Sequence, residues 1–177
     1  MCIRDSPQAK ESRPANQYYY YIESQLQRRR GDLDAAIQYM QQAIERDPTS
    51  VFLKWELATL HLQKKESDKA LEIIEQLLTA VPADVKLLSM YGRIKQSMDD
   101  LQTAKETYET VLDLDPKQEK IYILLGSLYM EDKDYDRAYN VYKRLVDHFP
   151  GSYVGHFFLG KISVSYTHLT LPTILLV

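Results

Sequence analysis

The feature that most constrains this chain is a proline that recurs at a constant interval. The series is Pro48, Pro82, Pro116 and Pro150, with Pro14 one further interval upstream. A fixed period of about 20–50 residues is typical of proteins in which one supersecondary unit stacks on the next. The period therefore predicts a linear array of similar units, each of which contacts mainly its neighbours, instead of a domain with one closed core.

Each unit contains two helical patterns. The residue two places after each proline is in most units a good helix N-cap, because its side-chain oxygen can accept a hydrogen bond from a free amide of the first turn. These positions hold Asn16, Ser50, Asp84, Gln118 and Ser152. First helices are predicted at 17–29, 51–64, 85–97 and 119–132, and second helices at 33–46, 67–80, 101–114 and 135–148. Each second helix ends near a proline, which cannot continue it.

Small and large residues recur in columns with the same period. The small column of the first helices is Ser24, Ala58, Gly92, Gly126 and Gly160, and that of the second helices is Ala36, Ala70, Ala104 and Ala138. The large columns are Met40, Ile74, Tyr108 and Tyr142, with Tyr20, Leu88 and Tyr122. A helical glycine costs up to about 1 kcal/mol relative to alanine. We therefore expect close helix packing to compensate at the glycine positions.

A helix–turn–helix unit of about 34 residues with these columns and a closing proline resembles the tetratricopeptide repeat (TPR) family, over about residues 14–162. The resemblance implies an all-α fold, an α-solenoid of antiparallel helix pairs that forms a right-handed superhelix. It divides the chain into repeats at 17–50, 51–84, 85–118 and 119–152. Residues 7–16 are assigned to the end of a truncated preceding repeat, and residues 153–163 to the first helix of a truncated fifth repeat. One departure is that the family's second alanine of the second helix is present only as Ala43.

Both ends of the chain are predicted to be non-native. Met1–Asp5 can be encoded as ATG TGT ATA AGA GAC, and the reverse complement of that DNA encodes Val-Ser-Tyr-Thr-His, the sequence of Val164–His168. Protein physics gives no reason for such complementarity, whereas inverted DNA ends joined to both sides of a gene fragment do. Residues 1–6 are therefore interpreted as a scar and residues 164–177 as a foreign tail, and both are excluded from fold reasoning. The apolar stretch that ends the tail is too short to span a bilayer.

Composition and motifs argue against catalysis. The net charge is −3, and the one cysteine, Cys2, lies in the predicted scar. The histidines outside the predicted tail, His61, His148 and His156, fall in different repeats without the spacing of metal ligands. The sequence also contains no glycine-rich phosphate loop. We therefore predict that the chain is not an enzyme and requires no cofactor, metal or small-molecule substrate.

The resemblance implies that partners bind on a concave groove built from the first helices. Its basic residues are Arg28, Arg29, Lys86, Arg93, Lys120 and Lys161, whereas Glu131 is its one acidic residue. The predicted partner-binding residues are Tyr18, Tyr21, Arg28, Phe52, Trp55, Lys86, Arg93, Lys120 and Lys161. Aromatic and arginine side chains often anchor interfaces, and basic groups steer acidic partners. We therefore expect the ligand to be a protein or peptide with acidic and apolar side chains.

Several alternatives remain open at the level of single residues. Tyr18 and Tyr21 have an alternative role in packing against a preceding repeat. Residues 28–30 have an alternative role as a solvated basic helix end that interacts favourably with the helix dipole. Some TPR proteins clamp the carboxylate end of a chaperone tail. Of the corresponding positions in this chain only Lys86 fits in the first register, and a shift by one repeat leaves only Lys120, so that ligand is rejected.

The leading functional hypothesis is a scaffold or adaptor for other proteins. A second hypothesis is that the array is the recognition arm of a larger enzyme or cell-envelope assembly protein, with the catalytic or membrane domain elsewhere. A third is binding of single-stranded RNA, since basic and aromatic residues also suit that ligand. The negative net charge of the chain disfavours the third hypothesis. Nucleic acid is therefore not expected as a partner. The array by itself is not expected to bind a membrane either.

Overall fold

A computed structural model describes residues 16–170, with side chains up to residue 164. Over that range it consists of nine α-helices and no strand. The helices are α1 Gln17–Arg30, α2 Leu33–Arg46, α3 Val51–Gln63, α4 Ser67–Ala80, α5 Val85–Ser97, α6 Leu101–Leu114, α7 Glu119–Glu131, α8 Tyr135–His148 and α9 Tyr153–Thr170. The predicted scar at 1–6, the assignment of residues 7–15 and that of residues 171–177 lie outside the described residues.

The helix boundaries agree closely with those predicted from the proline period. All four second helices begin and end at the predicted residues, and the first helices α1, α3, α5 and α7 end at or next to the predicted positions. Helix α9 extends to Thr170, beyond the end of the truncated fifth repeat predicted at position 163. The interpretation of residues 164–177 as non-native stays a prediction.

Side-chain caps explain where the first helices begin. The Asn16 Oδ1 accepts a hydrogen bond from the Tyr19 amide at 3.0 Å, and the Ser50 hydroxyl accepts one from the Leu53 amide at 3.3 Å. Asp84 accepts from two amides of α5 at 2.9 Å. Within the described chain the Gln118 side chain makes no such bond. The functioning caps are thus the short oxygen-bearing side chains, as the sequence pattern predicts.

The turn between the two helices of each repeat uses a left-handed residue. Gly31, Lys65, Asp99 and Lys133 occupy the same place in successive repeats and have φ values of 85°, 65°, 64° and 60°. A left-handed residue allows the chain to leave the first helix and hydrogen-bond its last carbonyls. Glycine adopts this conformation without steric cost, whereas the other three repeats hold a side chain there.

The chain divides into two compact units, with the boundary inside α4 between Ile73 and Ile74. In unit 1, α2 packs against α1 and α3. Its core consists of Ala36, Ile37, Met40, Ala43, Leu53, Leu57 and Leu60. In unit 2, helices α5 to α9 pack in sequence order. Its core includes Ala104, Tyr108, Val111, Leu112, Tyr122, Leu125, Leu128, Ala138, Tyr142, Leu145 and Ile162.

The small and large columns fit into each other in unit 2. A Cβ atom added to Gly92 would lie 2.5 Å from the Tyr108 ring, and one added to Gly126 would lie 2.5 Å from the Tyr142 ring. Both tyrosines are fully buried. The Tyr142 ring also stacks on Phe158, with ring centroids 4.7 Å apart. Glycine is thus required on the first helix because the facing tyrosine occupies the space of a side chain.

Charged side chains stabilise the turn between α3 and α4. The buried His61 ring places its Nδ1 atom 2.7 Å from the Glu66 Oε2 atom, and the Lys64 ammonium lies 3.0 Å from Glu66 Oε1. Hydrogen bonds from Lys64, and next from His61, lower the pKa of Glu66 from its ordinary value of 4.5 to about 2. The carboxylate form of Glu66 is therefore favoured by the folded state.

This lowered pKa predicts a specific loss of stability in acid. A carboxyl group with a depressed folded pKa stabilises the protein above its unfolded pKa, and the stabilisation is lost as pH falls through the folded value. We expect the free energy of unfolding to fall between pH 4.5 and about 2, and to fall less steeply in Glu66→Gln. Urea denaturation across that pH range measures both slopes. Glu72→Gln, at an exposed position of α4, is the control, and an identical slope in wild type and Glu66→Gln would contradict the expectation.

Among the described residues, no helix has the length and apolar character needed to cross a membrane.

Candidate partner-binding sites

Three aromatic residues of the predicted partner-binding set surround a surface cavity of about 270 Å³ in unit 1. We call it the aromatic pocket. Its lining residues are Gln17, Tyr18, Tyr21, Asp47, Ser50, Phe52 and Leu53. The Tyr21 and Phe52 rings are 5.5 Å apart and inclined by 56°. Tyr18 is 66% exposed and Phe52 is 53% exposed, so two of the three rings offer most of their surface to a ligand.

The pocket is formed where α1 begins and α2 gives way to α3. Tyr18 and Tyr21 are about one helical turn apart on α1, so both face the same side. Asp47 follows the last residue of α2, and its Oδ1 atom accepts a hydrogen bond from the Thr49 hydroxyl at 3.0 Å. The carboxylate of Asp47 has no ion pair with a basic residue in the described part of the chain. The pocket thus combines aromatic faces with one unneutralised negative charge.

Arg28, which the sequence analysis assigned to partner binding, is already paired. Its Nη1 atom lies 3.4 Å from the Glu56 Oε2 atom, and the Gln25 amide donates to the same oxygen at 3.3 Å. Glu56 is buried on α3. Burial, followed by the negative charge of Glu56, raises the pKa of the nearby Tyr21 phenol, and the positive charge of Arg28 opposes that effect. Arg28 therefore neutralises a buried carboxylate, which reduces the excess of positive charge predicted for this part of the face.

Trp55 differs from the other predicted aromatic positions. Its side chain is half-buried, and its indole N–H is buried without a hydrogen-bond partner among the described residues. It does not line the aromatic pocket. Its predicted role in partner binding stays a prediction, and its burial makes it a smaller contact surface than Tyr18 or Phe52.

In unit 2, two predicted basic residues line one cavity of about 420 Å³. We call it the basic cleft. Its lining residues are Ser89, Arg93, Gln118, Lys120, Ile121, Ile123 and Leu124. Helix α5 contributes Ser89 and Arg93, and α7 with its N-cap contributes the others. Arg93 and Lys120 are both exposed, and neither forms an ion pair with a carboxylate in residues 16–164.

The polar neutral groups of the basic cleft already have intramolecular partners. The Ser89 hydroxyl donates to the Val85 carbonyl at 2.6 Å, and the Gln118 amide donates to the Asp115 carboxylate at 2.5 Å. The cationic groups of Arg93 and Lys120 therefore remain the principal donors that a ligand meets there. Ile123 and Leu124 are half-buried and supply adjacent apolar surface.

The remaining two predicted positions are not part of either cavity. Lys86 is exposed near the start of α5 and does not line the basic cleft. The Lys161 ammonium on α9 lies 5.8 Å from the centre of the Phe158 ring, so its charge interacts with an aromatic face of its own helix.

Two residues outside the predicted set contact these sites: Asp47 lines the aromatic pocket, and Glu56 pairs with Arg28. Glu56 lies on the next first helix, 28 residues along the chain from Arg28. The two residues belong to different columns of the first helices, so the column analysis did not link them. It gave no signal for Asp47 either, because Asp47 follows the end of a second helix.

No group of three or more histidine, cysteine, aspartate or glutamate side chains suited to a metal ion exists among the described residues.

The sequence matches the profile of the tetratricopeptide repeat over residues 27–94 and 97–157. The chain therefore belongs to the tetratricopeptide repeat family, and the predicted all-α class, an α-solenoid of antiparallel helix pairs, is confirmed. No curated protein sequence matches it significantly.

Solved structures with the same fold share little sequence with this chain. MamA from Desulfovibrio magneticus is 19% identical, with a TM-score of 0.68 over 78% of each chain. A thermophilic TPR protein of Thermus thermophilus is 15% identical, with a TM-score of 0.62 over 86% of this chain and 84% of that one. The first TPR of Spaghetti (RPAP3), bound to an HSP90 peptide, is 20% identical, with a TM-score of 0.58 over 66% of this chain and 92% of its own. At these identities the likeness establishes the fold alone.

Proposed function

We propose that this protein is a protein–protein interaction scaffold whose basic cleft binds a partner segment with acidic and apolar side chains. The observation that carries the proposal is the pair of exposed cations, Arg93 and Lys120, without a carboxylate partner in the described chain and beside Ile123 and Leu124. The tetratricopeptide repeat fold supports the general role, because it serves as a protein-binding scaffold in the family. No intrinsic catalysis is proposed.

The chemistry of the basic cleft favours a carboxylate over a neutral polar group. A carboxylate accepts charge-assisted hydrogen bonds from both cations, whereas Ser89 and Gln118 are engaged by Val85 and Asp115. An adjacent apolar side chain of the partner would bury surface against Ile123 and Leu124. A segment in which glutamate or aspartate neighbours leucine or a similar residue therefore fits both parts of the cleft.

The neighbouring structure with a bound HSP90 peptide supports peptide binding as a use of this fold. We do not propose that peptide as the ligand of this chain, since only Lys86 matches the clamp positions in one register and only Lys120 in the register shifted by one repeat. The proposed partner is therefore a different acidic segment, held by Arg93 and Lys120.

Peptide binding measured by fluorescence polarisation tests the proposal. The probes are four short synthetic peptides, in which glutamate or lysine alternates with leucine or serine. We expect the glutamate–leucine peptide to bind most tightly and its affinity to fall as salt rises. Arg93→Gln and Lys120→Gln are each expected to lower the affinity for the glutamate–leucine peptide about two- to fivefold, because each removes one exposed charge contact. Lys143→Gln, an exposed lysine of α8 in the same unit, should leave affinity unchanged.

Oligouridine in the same assay distinguishes a protein ligand from single-stranded RNA. Binding of RNA with a steep salt dependence, together with no binding of the glutamate–leucine peptide, would overturn the proposal. Equal affinity for the glutamate–leucine and lysine–leucine peptides would also overturn it, since Arg93 and Lys120 would then contribute no selectivity.

A further inference from the structure

We propose that the aromatic pocket of unit 1 binds an arginine side chain of a partner segment. This site is separate from the basic cleft and has the opposite electrostatic character. It does not rest on the function proposed for the cleft, because its lining residues belong to a different unit.

The first argument is the shape and composition of the pocket wall. Tyr18, Tyr21 and Phe52 place three aromatic rings around about 270 Å³ of space, and Tyr18 and Phe52 remain largely exposed. The electron-rich faces of aromatic rings attract cations, and a planar guanidinium stacks on them with little loss of hydration. The Tyr21 and Phe52 rings are inclined by 56°, so they do not stack face to face on each other.

The second argument is charge. Among the residues that line the pocket Asp47 is the one charged side chain, and in the described chain no basic side chain pairs with it. The predicted cation of α1, Arg28, is committed to Glu56. An acidic ligand would meet the unpaired Asp47 carboxylate at this pocket, whereas a basic one would find a partner in it.

The third argument selects arginine among the basic side chains. A guanidinium can donate two parallel hydrogen bonds to one carboxylate while its plane lies against an aromatic ring. The Asp47 Oδ1 atom accepts one hydrogen bond from the Thr49 hydroxyl, and further lone pairs of the carboxylate remain for a ligand. The Ser50 hydroxyl at the pocket edge is already the cap of α3, so Asp47 is the main polar contact offered.

The experiment is a titration of a small probe into the full chain, monitored by the NMR signals of the backbone amides. The probe is N-acetyl-arginine amide, and the matched neutral probe is N-acetyl-citrulline amide, which has nearly the same shape without the charge. We expect the arginine probe to shift the amides of residues 17–21 and 47–53 and to bind about fivefold more tightly than citrulline. N-acetyl-norleucine amide tests the competing idea that the pocket accepts an apolar side chain.

Two variants separate charge from ring contact. Asp47→Asn removes the charge and should lower the affinity for the arginine probe several-fold. Asp115→Asn changes the equivalent position after α6 in unit 2 and should leave that affinity unchanged. Phe52→Leu keeps an apolar side chain without an aromatic face and should also weaken binding. Because Phe52 is 53% exposed, this variant is expected to fold normally.

Equal binding of arginine, citrulline and norleucine probes would overturn the proposal, as would unchanged affinity in Asp47→Asn. Neither outcome bears on the basic cleft, whose binding to the glutamate–leucine peptide is measured separately and in variants of different residues. Failure of the arginine site and failure of the acidic-segment proposal are therefore distinguishable.

Discussion

Replacing Gly126 with alanine is expected to destabilise unit 2 by about 1–3 kcal/mol, although alanine is the better helix former. The added Cβ atom would lie 2.5 Å from the Tyr142 ring. That ring cannot move away easily, because Tyr142 is fully buried and stacks on Phe158 at 4.7 Å. The steric cost should therefore exceed the gain in helix propensity of up to about 1 kcal/mol.

The same substitution one repeat later should have the opposite sign. Gly160 occupies the same column on α9, and no described atom lies within 4 Å of an added Cβ there. Gly160→Ala is thus expected to stabilise the protein by up to about 1 kcal/mol. Urea denaturation monitored by circular dichroism measures both changes in the free energy of unfolding. The fluorescence of Trp55, the one tryptophan of the chain, reports on unit 1 separately.

A double-mutant cycle identifies the cause of the effect at Gly126. Tyr142→Leu shortens the facing side chain, so Gly126→Ala should cost much less in that background, with a coupling energy of about 1 kcal/mol or more. If Gly126→Ala destabilised the Tyr142→Leu protein as much as the wild type, contact with Tyr142 would not be the reason for the glycine.

The fold was predictable because its determinants are local and repeat. Prolines, caps and columns recur once in every repeat, so each repeat provides an independent estimate of the same helix boundaries. The complementarity of Gly126 and Tyr142 was also visible as two columns of opposite size. Gln118 makes no side-chain cap, because its side chain is longer than those of the favoured N-cap residues.

The candidate sites were only partly predictable, because they depend on pairings between different repeats. A count of basic residues on one face assigned Arg28 to the partner, whereas the structure pairs it with Glu56 of the next first helix. Asp47 lies in a connection between helices, where column analysis of the first helices does not reach, yet it lines the aromatic pocket. Arg93 and Lys120 line one cleft because both lie on first helices of successive repeats.

Burial along one column also varies in a way that the repeat pattern alone does not encode. Leu26, Leu60, Ile94 and Leu128 occupy equivalent positions of α1, α3, α5 and α7. The last three are fully buried, whereas Leu26 is 39% exposed. The pattern predicts an apolar residue at each position, but the exposed fraction depends on which neighbouring helix covers it.

Leu128→Ala should consequently cost about 2–5 kcal/mol of unfolding free energy, because it leaves a cavity in the core of unit 2. Leu26→Ala, the same change at the equivalent position of α1, is expected to cost about 1 kcal/mol or less, since much of its side chain already contacts solvent. Urea denaturation of both variants under one condition measures the difference. Equal losses would mean that Leu26 is packed as tightly in solution as Leu128, and the exposed apolar side chain on α1 would then have to be covered by a further contact. A large difference would establish that the neighbouring helices, and not the repeat sequence itself, determine how much each position in a column contributes to the free energy of unfolding.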